Sequence, residues 1–394
     1  MPPAPPHRFP CVLPRSAAAS GYFLCVMLFC SGCGAPGEPT PHSPPVPVAI
    51  ADLTAQQLGD GVQLTFTLPG RTVTGKRLTE YPTVEIYRGA VKADGSADFK
   101  AFRMVYTIPG SLVNNYILEK HVEFVDPISP EETKSHSGGK VAYLVRTRIS
   151  AKKASADSNI VQLAIYPVPE RIADVQAHVT ETAVDLSWTA PAKTSGGGAL
   201  PPFSYRIYRG QLDTSGDPAA SAAAIDAAAK DLPHAKWKTK LALLASPDTN
   251  AYRDTDFEFN KTYVYVVRSA VTVNGVALES ADSIPAIVTP KDIFPPASPQ
   301  GLVGAVLQNA AETAVDLSWS ISPEPDVAGY RVYRGESEGD RGHTLSELLP
   351  TPTYRDASAL PGHRYWYSVT AVDRAGNESV PSPQILVVIA QPSS

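Results

Sequence analysis

Residues able to do chemistry are few and scattered in this chain. Of its eight histidines, His7 and His42 lie near the start, and the other six stand isolated, with no HExxH or HxH spacing to seat a metal. There is no GxSxG elbow, no P-loop, and no GxGxxG string after a strand-like segment. Catalysis needs a nucleophile, a base and an orienting group that converge, and the sequence offers no such set. Glu131-Glu132 lies beside Pro130 in a polar stretch, expected to be a solvated loop rather than a glycosidase pair. Glu324-Pro-Asp326 brings too few oxygens for calcium. Gly196-Gly-Gly198, set among Ser and Pro, reads as a flexible turn rather than a phosphate cradle. No Arg-Gly-Asp triplet occurs, and Gly339-Asp-Arg-Gly342 has the wrong order. The expectation is a chain without catalytic residues, metal or cofactor.

Composition agrees with a folded body. Hydrophobic residues make up 43% and charged ones 19%, enough for packed cores, and the net charge of −5 leaves no basic footprint for nucleic acid. Thirty-eight prolines suit turns, edge strands and linkers better than long helices. The length of 394 residues suggests two to three domains. All four cysteines (Cys11, Cys25, Cys30, Cys33) fall within the first 33 residues, so no disulfide framework holds the remainder together.

Those cysteines sit in a segment with an address. Arg8 and Arg15 precede an apolar run from Ala17 to Phe29, too short to span a bilayer, and small residues Ser31 and Gly32 lead to Cys33. Cys30-Ser31-Gly32-Cys33 resembles the lipobox of bacterial lipoproteins, in which the signal is cut before the cysteine and the new N-terminal residue is acylated. The usual Leu three residues before that cysteine is replaced here by Cys30. The resemblance implies lipid attachment at Cys33, after a signal peptide over 1–32. A soluble protein cut nearby and an uncleaved anchor are the alternatives. Gly34 in place of Asp implies export to an outer membrane where one exists. Residues 33–47 then form a Pro-rich tether, semi-extended and able to lift a domain clear of lipid.

Internal repeats organise the rest. Glu-Thr-Ala-Val-Asp-Leu-Ser-Trp occurs at 181–188 and, unchanged, at 312–319. Each copy is followed by Tyr205-Arg-Ile-Tyr-Arg-Gly210 or Tyr330-Arg-Val-Tyr-Arg-Gly335, then by Ala251-Tyr-Arg-Asp254 or Thr353-Tyr-Arg-Asp356. Tyr263-Val-Tyr-Val-Val267 and Tyr365-Trp-Tyr-Ser-Val369 come last. A weaker set lies upstream: Gly61 to Phe66, Val84 to Gly89, and Val141 to Val145. Within the blocks apolar residues alternate, as in Val184, Leu186 and Trp188, which places them on one face of a strand. The units run near 48–167, 168–291 and 296–390. Asp217-Pro218 and the Ala-rich run to Lys230 predict a short helix inserted in the second, packed against or beside the sheet.

The third unit resembles fibronectin type III from end to end. Pro299 and Leu302 fit the opening strand, Leu317-Ser-Trp319 the second, and Tyr330-Arg-Val332 the third. Leu360-Pro-Gly-His-Arg-Tyr365 precedes Val369-Thr-Ala371, and the last strand runs from Ile385 to Ile389. The resemblance implies an all-β fold of three tandem fibronectin type III-like, immunoglobulin-like antiparallel sandwiches. It also implies a core Trp and a tyrosine corner closed by Tyr365 and Tyr263. The first unit has Val141 at the corner position and lacks the Trp.

One surface stands out as a binding candidate. If Tyr330, Val332, Tyr365 and Tyr367 point inward, then Arg331, Tyr333 and Trp366 share an exposed sheet face. Aromatics beside an Arg can stack on sugar rings or anchor a protein; they can also simply cover one another. In the second unit Val264 and Val266 stand where the Trp would be. The resemblance implies an extracytoplasmic, lipid-anchored role on the bacterial cell surface. Two classes stay open: a binding or adhesion protein with a protein or polysaccharide ligand, and a structural spacer of an envelope assembly. Asp292 to Pro299 reads as a stiff linker, so the array should be elongated.

Overall fold

The computed structural model describes residues 45–150, 152–216, 218–309 and 312–391. Cys33, the signal segment and most of the tether lie outside the described residues, as does Asp217.

Six antiparallel sheets form three fibronectin type III-like sandwiches. In the third, Val303–Gln308, Thr313–Ser318 and Thr353–Asp356 make a three-stranded sheet. It faces His343–Thr344, Val327–Gly335, Arg364–Asp373 and Ile385–Val388. The second repeats the plan. Gln176–Val179, Val184–Ser187 and Ala251–Asp254 oppose Trp237–Ala245, Phe203–Leu212 and Tyr263–Val273. Val276–Glu279 and Ala286–Val288 both pair with Tyr263–Val273. In the first, Thr54–Leu58, Gly61–Phe66 and His121–Pro127 oppose Arg103–Ile108, Thr83–Ala90 and Lys140–Ser150.

Alternation explains the cores. Val315, Leu317 and Trp319 point inward from one strand and meet Tyr330, Val332, Tyr367 and Val369 from the facing sheet. Trp319 meets Tyr330 edge-on at 5.4 Å, as Trp188 meets Tyr205 at 5.1 Å. Phe66, fully buried, takes the Trp position in the first sandwich. The tyrosine corner is present in both expected places: Glu258 N donates to Tyr263 Oη at 3.0 Å and Leu360 N to Tyr365 Oη at 3.3 Å. The opening strand of the third unit starts at Val303, so Pro299 and Leu302 lie before it rather than in it.

Each sandwich also carries a Ser-x-x-Ser pair that closes its long strand. Val369 N donates to Ser382 Oγ and Ala371 N to Ser379 Oγ, at 3.0 and 2.9 Å. Ser283 and Ser280 accept from Val267 N and Ser269 N, and Ser158 and Ser155 from Val145 N and Thr147 N. The serines satisfy buried strand N–H groups where regular ladder pairing stops.

The inserted helix is present as Pro218–Lys230. Ala228 packs with Val264, Val266 and Leu212, so the helix lies on the outer side of the sheet. That cover is the physical reason for valines at these outward positions. Glu131 and Glu132 are not in a loop. They begin a short helix, Pro130–Ser135, capped by Ser129, whose Oγ accepts from Glu132 N. Gly196–Gly198 is a turn, with Gly197 at φ +75° and Gly197 N donating to Thr194 O.

Junctions between sandwiches are bonded. Gly59 N donates to Glu279 O at 2.9 Å. At φ +57° and with Ala281 N only 2.6 Å from where a Cβ would stand, position 59 needs glycine. Gln57 both donates to Tyr166 O and accepts from Tyr166 N, tying the linker to the first sandwich. Asn377 Nδ2 donates to Asp292 O across the second junction.

Candidate functional site

Arg331, Tyr333 and Trp366 do share one face: Arg331 pairs with Thr370, Tyr333 with Ser368, and Trp366 with Gly335. The face is not open as expected. Tyr333 is 7% exposed, because the Arg341 guanidinium lies over its ring at 4.0 Å and its hydroxyl donates to Glu378 Oε1 at 2.6 Å. Arg331 donates to Glu378 Oε2 at 2.6 Å. Arg341 and Thr370 complete the set of donors to Glu378. Burial pulls the Glu378 carboxyl upward, but the bonds from Tyr333, Thr370 and Arg331 and the Arg341 charge outweigh it and hold it below the ordinary range. The carboxylate, the Tyr333 ring and both arginines are thus consumed by one another. Trp366 is half-buried.

The arrangement recurs. In the second sandwich Arg206, Tyr208 and Arg268 all donate to Glu279, and Arg268 lies 4.5 Å over the Tyr208 ring. In the first the charges are exchanged between strands: Glu85 takes the place of Arg206 and accepts from Tyr87 and from Arg148 on the neighbouring strand, with Arg146 over the Tyr87 ring at 5.0 Å. The Arg148 bond is the main reason the Glu85 carboxyl is held low. Against the second cluster stands a cleft lined by Gln56, Gln57 and Leu58 of the first sandwich and by Arg206, Tyr208 and Arg268.

A second, deeper triad joins the two sheets of every sandwich. Tyr143, Tyr265 and Tyr367 each donate to a carboxylate of the opposite sheet (Asp126, Asp254, Asp356) at 2.7 Å. Arg88, Arg209 and Arg334 pair with the same oxygens at 3.0, 2.8 and 2.7 Å. Asp254 and Asp356 are nearly fully buried. Burial, then the carboxylate, pushes all three tyrosine hydroxyls well above their usual range, so they stay donors. The repeated Tyr-Arg-Gly and Tyr-Arg-Asp strings signal this triad, but their pairing across sheets is not readable from order along the chain.

The acids near the second junction assort differently from their sequence. Glu324 accepts from Ala297 N, whereas Asp326 lies with Asp292 and Asp373, their carboxylate oxygens within 4.8 Å of one another. Such hard donors suit a divalent cation. Both Asp373 oxygens already accept from Asn377.

No family model matches the chain. Among curated proteins it is similar to exoglucanase B of Cellulomonas fimi, 26% identical over 267 residues, which is 64% of this chain and 20% of that protein. It is also similar to the amylopullulanase of Thermoanaerobacterium saccharolyticum, 31% identical over 30% of this chain and 8% of the relative. The chain thus spans a fifth or less of the length of these relatives. Among solved structures, the FN1–FN3 domains of chicken CNTN1 cover 88% of this chain at 13% identity and a TM-score of 0.25, with 99% of that chain covered. A two-domain fibronectin type III segment of chicken tenascin covers 56% at 15% identity and a TM-score of 0.32, with 99% of it covered.

Proposed function

We propose that the chain is a non-catalytic spacing arm, held to the bacterial envelope by lipid at Cys33 and built of fibronectin type III-like modules. The observation that carries this reading is the self-pairing of the sheet faces. In each sandwich the Arg, Tyr and Glu that a ligand would need already bind one another. Bonded junctions, such as Gly59 to Glu279, support a spacer over a string of freely hinged beads. The relatives are named as an exoglucanase and amylopullulanases, and the shared part is a small fraction of each. That is compatible with an accessory array rather than a reacting domain.

A polysaccharide-binding reading is favoured by one residue, the half-buried Trp366 beside the 44% exposed Leu386. Affinity electrophoresis through gels holding β-glucan or pullulan separates the two. Unchanged mobility of the full chain and of Trp366→Ala is the expected result. Retardation of the parent chain that Trp366→Ala abolishes would replace the spacer with a binder.

A further inference from the structure

At one further buried place the first sandwich departs from the other two, and the difference leaves a cavity. In the second and third, the corner tyrosine ring lies beneath the triad arginine: Tyr263 is 5.5 Å from the Arg209 guanidinium and Tyr365 is 4.6 Å from that of Arg334. The first sandwich keeps the arginine, with Arg88 paired to Asp126, but has Val141 in place of the tyrosine. At the matching spot a cavity of about 380 Å³ opens, lined by Val105, Ile128, Val141 and Ile165 together with Arg88 and Arg103.

We propose that this cavity binds a single aromatic ring, of phenol type, that carries an anionic group. The ring takes the position that Tyr263 and Tyr365 fill in the sister domains, stacked on the Arg88 guanidinium against apolar walls. The volume sits at the small end of ligand sites, which run from roughly 300 to 1,000 Å³. It therefore suits one ring, not a sugar chain. The anionic preference comes from the charges of Arg103 and Lys140, both exposed on the lining; Arg103 Nη1 donates to Lys100 O and Phe102 O, and neither cation has an acidic partner among the described residues. The one acid on the lining, Glu132, is engaged by Arg88 at 3.4 Å. This site goes beyond the spacer reading and does not depend on it.

The test uses the full chain and para-hydroxyphenylacetate as probe, read by saturation-transfer NMR and calorimetric titration. Binding is expected, weakened about tenfold for the uncharged para-cresol, the loss of roughly one charge-assisted contact. Val141→Tyr should abolish binding, because its own ring fills the space. Arg103→Glu gives up the Arg103 bonds to Lys100 O and Phe102 O, so circular dichroism checks its fold; it should weaken the acid about threefold to fivefold and para-cresol little. The proposal is overturned if the parent chain shows no saturation transfer at millimolar probe. It is equally overturned if the folded Arg103→Glu chain binds the acid as tightly as the parent, whether or not Val141→Tyr folds.

Discussion

Asp356→Ala is expected to lower the stability of the third sandwich by about 3–5 kcal/mol, the cost of removing one member of a buried ion pair. The loss is large because Asp356 serves three groups at once. It accepts from Tyr367 at 2.7 Å, from Arg334 at 2.7 Å and from Ser358 N at 2.9 Å. Alanine would leave the Tyr367 hydroxyl without its acceptor and the Arg334 guanidinium without its counter-charge, held only by Ser358 Oγ. Burial works to raise the Asp356 carboxyl, but the bonds from Ser358, Tyr367 and Arg334 outweigh it and hold it below the ordinary range. A carboxylate held low in the folded state stabilises fully above its unfolded pKa, about 3.9, and loses that contribution as pH falls toward the folded value. The gap in urea midpoint between parent and Asp356→Ala should therefore be wide at neutral pH and shrink on acidification below about pH 4. A gap that persists unchanged in acid would mean that the carboxylate charge contributes nothing.

Trp319→Ala is expected to cost a similar 3–5 kcal/mol, by a different route. Trp319 is 6% exposed and packs edge-on against Tyr330 between the sheets. Its indole N–H has no hydrogen-bond partner among the described residues, so the loss is all packing and cavity, with no bond to break. Trp319→Phe should then cost less than half as much, since it keeps a ring and removes an unsatisfied donor. Scanning calorimetry reads the difference: at roughly 4–8 °C per kcal/mol for a domain of this size, the third sandwich should become the first to melt. Equal costs for Phe and Ala would point to an unseen partner for the indole.

Strands were the legible part of this protein, because period-two alternation in Val184-Asp-Leu-Ser-Trp188 and its repeats records which side faces the core. The Pro218–Lys230 helix was legible from its Pro and Ala content. The candidate face was legible only as a face. That Arg331, Tyr333 and Trp366 lie together follows from register, but the burial of Tyr333 depends on Arg341, brought over its ring by a loop whose path no local pattern encodes. Glu378 was hidden for the same reason: it lies 45 residues from Tyr333 in the chain and beside it in space. The Ser-x-x-Ser pairs did leave a readable signal, recurring at one spacing after each long strand, at 155 and 158, 280 and 283, and 379 and 382.

The spacer account stands on the anchor as much as on the sandwiches, and intact mass with membrane fractionation tests it most directly. Expressed with its full N-terminal segment, the parent chain should appear in the membrane fraction, beginning at Cys33 and carrying acyl mass, and Cys33→Ala should be released from it. An unmodified parent chain found soluble would contradict the account and leave the three sandwiches without a membrane to stand on.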